Sequence, residues 1–174
     1  MRLRTLAAAC LAAGVLLQST VPPAAAHEIP TDVLVQMFAR PAGRELRVLV
    51  RTPLASMRDI VFPETAGGFL DLPKVDPLLL DAAQIWIAGA LTLREDGRLL
   101  PAPRLVAARL SLPSDAAFGD YGTAEQHLAT PGLPAGTAVT VTQALLDVLL
   151  VYPITSDRAR FTIDPAFGRL GVRV

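Results

Sequence analysis

The sequence predicts a mainly β chain: an antiparallel, sandwich-like domain carrying one or two short helical insertions. Three observations lead there. Fifteen prolines and twelve glycines cut the chain into short pieces, and short apolar pieces favour strands over helices. Several of these pieces alternate apolar with polar residues, or are rich in valine, leucine and threonine. The strand-like pieces also follow one another through turn-like links rather than long crossover helices, which favours hairpins and antiparallel pairing.

Taken in order, "DVLVQMFAR" (32–40) and "RELRVLVRT" (44–52) flank the turn "PAG". In the second piece Leu46, Val48 and Val50 alternate with Glu45, Arg47, Leu49 and Arg51, a period of two that sends one row to a core and the other to solvent. A hairpin is expected. In "TPLASM", Thr52 is placed to cap and Pro53 suits a first helical position, so one short helical turn is expected next. "FLDL" (69–72) reads as a short strand. From Asp76 a helix is expected, with Leu79, Ala83, Trp86 and Ala90 on one buried face. "ALTLRE" and "LVAARLSL" read as two strands joined by a hairpin-like link around "DGR", with Pro101 and Pro103 interrupting the pairing. Pro113 and Ser114 open a second helix, "DAAFGDYGTAEQHLAT", with Ser114 as its cap. "AVTVTQ", "LLDVLLVYPI", "RFTID" and "RLGVRV" complete the strands, and "AGG" (66–68) is a bend.

The first thirty residues have the layout of a secretory leader. Arg2 and Arg4 precede a short apolar run, and Ala24 and Ala26 are small residues suited to a peptidase. The expectation is a signal peptide at 1–26 and an exported, periplasmic β-rich domain at 27–174. A lipoprotein reading would use Cys10, but little apolar sequence precedes it. With the leader goes the single cysteine, which removes disulfides, thiolate metal sites and cysteine nucleophiles from consideration. The formal charge of the whole chain is +0, so the overall balance gives no reason to expect nucleic acid as a partner.

About 150 residues after cleavage suffice for one domain with a real core. A hydrophobic content of 52% excludes a disordered composition. Mean hydropathy of +0.43 raises the question of a membrane span. Two apolar stretches, from Asp76 and from Thr137, are interrupted by Asp81 and Gln84 and by Gln143 and Asp147. Each central carboxylate costs about 2.5 to 3.5 kcal/mol in a bilayer, so neither reads as a span.

Two imidazoles carry what metal chemistry the sequence offers. Cleavage before His27 would place a ring and a free amine on one residue, a pair that chelates copper or nickel once both lose protons. His127 could supply a third nitrogen. It lies seven residues after Asp120, so the two would share a helical face as an ion pair, a carboxylate-oriented ligand or a solvent-facing polar stripe. No G-x-S-x-G elbow surrounds Ser56, Ser111, Ser114 or Ser156. Glu95 and Asp96 sit at a turn, where acidic residues are common. Trp86 is expected to be buried on its apolar stripe. In "SDRARF" (156–161), Arg158 and Arg160 would share one face of a strand with Asp157 opposite, able to meet an anion or an acidic partner.

The segments "AHEIPTDVLVQMFARP", "VLVRTPLASMRDIVFP", "FLDLPKVDPLL", "IWIAG", "LVAARLSLPSD", "QALLDVLLVYPITSDRARF" and "RLGVRV" together resemble the exported amino-terminal region of HupE/UreJ-like membrane proteins. The resemblance implies a noncatalytic exported domain that supports a metal-handling, transporter-like membrane part, with that membrane part or another membrane protein as its partner. It transfers no catalytic, cofactor-binding or metal-ligating residue to this chain. The expectation is therefore a nonenzymatic domain without a cofactor. The rivals are a periplasmic copper- or nickel-binding protein using His27, and a hydrolase with an unrecognised site. "LGVRV" reaches the last residue as a strand pattern, and an unprotected sheet edge there would suggest missing partners and a domain truncated at its C-terminus.

Overall fold

The computed structural model describes residues 33–171. It is mainly antiparallel β structure in two sheets. The larger sheet contains β1 (Gln36–Ala42), β2 (Glu45–Pro53), β6 (Leu145–Pro153) and β5 (Arg104–Ser111) in the order β1-β2-β6-β5. The smaller contains β4 (Arg98–Leu99), β3 (Leu91–Glu95) and β7 (Phe161–Pro165) in the order β4-β3-β7.

The first hairpin forms as expected. Gln36 pairs with Arg51 and Ala42 with Glu45, leaving Gly43 and Arg44 as the turn. Gly43 has φ 59°, a conformation that favours glycine. After Pro53 the chain makes a single 3-10 turn, Leu54–Ser56, without a side-chain cap. Thr52 is not its cap: it lies near the end of β2, fully buried.

Helix α1 spans Leu72–Trp86 and so begins four residues before Asp76. "FLDL" is accordingly not a strand. Leu72 already belongs to the helix, and Leu70 makes only an isolated bridge to Glu64. Pro73 lies in the first helical turn, where a missing N–H is harmless. Pro77 lies inside the helix, but it and Pro73 are both exposed, so water can take the carbonyl left without a partner. The buried face carries Leu72, Val75, Leu79, Ala82, Ala83 and Trp86. It packs on β5 and β6. Trp86 is 5% exposed, as its stripe predicts. Ala90 falls in a separate 3-10 turn, Ala88–Ala90.

"ALTLRE" and "LVAARLSL" form strands but do not pair with each other. The turn at Asp96 and Gly97, with φ 47° and 81°, is a two-residue hairpin turn of the kind Asp-Gly favours. It joins β3 to the two-residue β4. Beyond the prolines the chain crosses to the larger sheet, where β5 pairs with β6. A bulge between Leu105 and Ala107 leaves Val106 41% exposed. "AVTVTQ" is a loop and turn rather than a strand. In "RLGVRV", Arg169 and Leu170 belong to a 3-10 turn, Phe167–Leu170, and residues 172–174 lie outside the described residues. "SDRARF" is a loop up to Arg160, and β7 begins at Phe161.

The outer row of the first hairpin meets solvent only near its turn: Arg40 and Ala42 are exposed and Glu45 and Arg47 half-buried, whereas Leu49 and Arg51 are buried. Leu46, Val48 and Val50 of β2, with Leu146, Val148, Leu150 and Tyr152 of β6, enter a large core shared with α1 and with Leu91 and Leu93 of β3. The opposite row, Leu49, Leu149 and Val151, enters a second, smaller core. Phe118, in the 3-10 turn Ala116–Gly119, and Ala124 and Leu128 of helix α2 (Tyr121–Leu128) cover it. The central strand β6 is thus buried on both faces over Leu146–Tyr152. Among the described residues no helix is long and apolar enough to cross a membrane.

Candidate functional site

The segment expected as one helix from 115 to 130 breaks into the 3-10 turn and α2, each with its own aspartate cap. Asp115 accepts from the amide of Ala117 at 2.8 Å and Asp120 from that of Thr123 at 3.0 Å. Ser114 caps neither element, because Asp115 and Asp120 hold the N-cap positions. The break lets the chain fold onto the second face of the larger sheet, where it encloses a polar cluster.

Asp147 is the centre of that cluster and has no exposed surface. Its place in the middle strand sets it opposite Arg51 of β2 on one side and Arg109 of β5 on the other. Arg51 grips it with two parallel bonds, from Nε to Oδ1 at 2.7 Å and from Nη2 to Oδ2 at 2.8 Å. This fork is the strong geometry for an arginine and a carboxylate. The same guanidinium donates from Nη2 to Ser111 Oγ at 3.1 Å and from Nη1 to the carbonyl of Asp115 at 2.8 Å. Its plane lies against the Phe118 ring, 4.3 Å from the centroid. Burial disfavours the charge on Arg51, but the hydrogen bonds and charges of Asp147 and Asp115 outweigh it and raise its pKa.

His127 joins two carboxylates from different elements. Its Nε2 lies 2.9 Å from Asp147 Oδ2 and its Nδ1 3.2 Å from Asp115 Oδ2. The contact to Asp147 has hydrogen-bond geometry, and the Asp115 carboxylate lies beside the other ring nitrogen. The backbone carbonyl of His127 accepts from Arg109, which also donates to the carbonyl and hydroxyl oxygens of Thr130 at 2.6 and 2.7 Å. Burial is the largest influence on Arg109 and lowers its pKa, against the opposing pull of Asp147 and Asp115. Asp115 behaves in the opposite way. Burial pushes its carboxyl up, but the Ala117 amide, His127 and Arg51 together hold it below the usual range.

The geometry departs from the expected site in two ways. Asp120 does not face His127; its carboxylate is taken up by the amide and hydroxyl of Thr123. His127 is not on a solvent-facing stripe, since only 11% of its side chain is exposed. Neither ring nitrogen is left without a carboxylate neighbour. His27 lies outside the described residues. Among the described residues, no group of three or more His, Cys, Asp and Glu side chains is placed to hold a metal ion.

Sequence reasoning missed Arg51, Arg109, Ser111, Asp115 and Asp147 as a group. One signal was present: a lone carboxylate inside the continuous apolar run "LLDVLLVYP". Such a run marks a strand covered on both faces, and a charge within it requires a buried partner.

Beside the cluster runs an open groove of about 450 Å³, its walls mostly apolar, with Leu34, Pro53, Phe118 and Leu145 among the lining residues and Arg51 and Asp115 along the polar side. Leu34 is 70% exposed there. Within the cluster, Asp115 is the carboxylate that reaches the surface, with 30% of its side chain exposed. Ser111 Oγ has Arg51, a donor, as its neighbour and no base within hydrogen-bonding reach among the described residues. Comparison with protein-family models, curated proteins and solved structures returned no match.

Proposed function

We propose that this chain is a noncatalytic exported domain that works by binding, as the resemblance to HupE/UreJ-like membrane proteins implies, in support of a metal-handling or transporter-like membrane part. One observation carries the noncatalytic reading: the carboxylates, the imidazole and the hydroxyl of the polar cluster are taken up by one another and by Arg51. Asp147 binds Arg51 and His127, Asp115 binds His127 and Arg51, and Ser111 binds Arg51. A catalytic constellation instead keeps a nucleophile or base turned toward a substrate position. These bonds hold the segment 115–130 on the sheet, and residues 115–119 form a wall of the groove beside it. Leader-like residues 1–26 support export.

The test has two readouts. Cell fractionation with amino-terminal sequencing is expected to recover a chain starting at His27 from the periplasmic side. A photo-crosslinking amino acid at Leu34, in the groove wall, is expected to give adducts with a membrane protein. Recovery of the chain from the cytosol with Met1 intact overturns export. Steady hydrolysis of model esters or peptides, abolished by Ser111→Ala, overturns the noncatalytic reading.

A further inference from the structure

Arginines that the sequence places far apart collect at one end of the strands. The β1–β2 turn, the β3–β4 turn and the connection from β6 to β7 meet there. Backbone bonds tie them: the Ile154 amide donates to the Arg44 carbonyl at 3.0 Å, the Asp96 amide donates to the Arg160 carbonyl, and the Arg160 amide donates to the Asp96 carboxylate. Glu95, only 7% exposed, accepts from the Thr155 amide and hydroxyl and from the Ser156 amide at 2.7 to 2.8 Å. Asp157 accepts from the Gly43 amide at 3.2 Å.

Glu95, Asp96 and Asp157 are therefore used as acceptors that hold the loops together, while Glu45 beside the β1–β2 turn pairs with Arg47 and Arg104. Arg44, Arg98, Arg158 and Arg160 are all exposed, and none forms an ion pair with a carboxylate among the described residues. The result is a braced surface on which Glu95 is buried, the exposed Asp96 and Asp157 hold loop amides, and the guanidinium groups stand in solvent. Because the loops are already fixed by backbone bonds, the ordering cost left for a ligand is that of the arginine side chains and not of the backbone.

We propose that this arginine-bearing end is the docking surface for an acidic, carboxylate-rich protein segment. Planar guanidinium groups match carboxylates through paired hydrogen bonds. A lipid surface fits less well. Leu99 is the large hydrophobic residue exposed in the β3–β4 hairpin, and lasting attachment to a bilayer needs apolar insertion or a second anchor besides charge. The choice of a protein partner rests on the exported binding role proposed above. The surface itself is tested without it.

The experiment measures binding of a fluorescent peptide of alternating glutamate and glycine to the purified protein by anisotropy, at low and at physiological salt. Arg44→Gln, Arg98→Gln, Arg158→Gln and Arg160→Gln are combined in one variant. A control combines Arg58→Gln with Lys74→Gln, which are exposed elsewhere. Exposed ion pairs are individually weak, so the four-fold variant is expected to bind about tenfold less tightly, with a shallower salt dependence. The control should bind as the parent does, and circular dichroism should show both variants folded. Equal loss in the control overturns the surface assignment, as does unchanged binding by the four-fold variant. Absence of peptide binding alongside arginine-dependent sedimentation with phosphatidylglycerol vesicles overturns the choice of a protein segment. A cytosolic location found by fractionation would defeat the export reading while leaving the peptide result intact.

Discussion

The carboxylate of Asp147 and the guanidinium of Arg51 are each removed from water, and neither can be discarded alone. Replacing one member of a buried pair strands the other, at a cost of about 3–5 kcal/mol, whereas exchanging both for apolar residues of similar volume is often neutral or favourable. Asp147→Ala is therefore expected to lower stability by about 3–5 kcal/mol in urea unfolding. The double variant Arg51→Met with Asp147→Leu should recover a large part of that loss. A recovery would show that the pair specifies the arrangement of β2, β6 and the 115–130 segment more than it adds net stability. Asp115 makes a separate prediction from its depressed pKa. Linkage sets the sign: a carboxyl lowered in the folded state stabilises above its unfolded value of about 3.9 and loses that contribution as pH falls through the folded value. Acid titration of stability should thus steepen below about pH 4, and Asp115→Asn should flatten that slope. Unchanged slope in the Asn variant would mean that other carboxyls carry the acid sensitivity.

Among the elements, those with strict local signatures were legible. The Gly43 turn, the Asp96-Gly97 turn and the apolar stripe of α1 all follow from residue chemistry acting within a few positions. The misread elements depend on distant partners. "AVTVTQ" has strand composition, yet Val139 serves as a backbone acceptor for Leu70 and fills the core from a loop. "FLDL" has strand composition too, but Asp71 and Pro73 supply a helix start that takes Leu72. Asp147 in its apolar run marked the polar cluster, but its partners were illegible for the same reason, since they come from β2, β5 and the 115–130 segment. That segment meets the sheet through the smaller core and the polar cluster. Leu128→Ala removes a side chain 5% exposed from the smaller core and should cost about 2–5 kcal/mol. Hydrogen exchange is expected to quicken first in residues 116–130, with the β2–β6 amides remaining protected. Loss of protection in all elements together would instead show that the segment unfolds only with the sheet.

For the molecule as a whole, the described residues 33–171 depend on closing the large core around α1, and the last described 3-10 turn contributes to that closure. Phe167 and Leu170 are 5% and 1% exposed in the core that contains Trp86, and the Arg169 guanidinium lies 4.5 Å from the Trp86 ring centroid. The Ala166 amide also bonds to the Ala90 carbonyl at 2.8 Å, securing the exit from β7. A chain stopped after Pro165 would lose two buried apolar side chains worth about 1.5–3 kcal/mol each. It would lose the cover over Trp86 as well. Set against a typical total of about 5–15 kcal/mol, that loss is large enough to weaken the whole domain. Since Trp86 is the single tryptophan, its fluorescence reports directly on this closure. The shortened chain is expected to show a red-shifted emission and a lower urea midpoint than the parent. Retention of the parent's emission and midpoint would mean that the core around α1 closes without the turn, and that Phe167 and Leu170 are passengers on a domain already complete at β7.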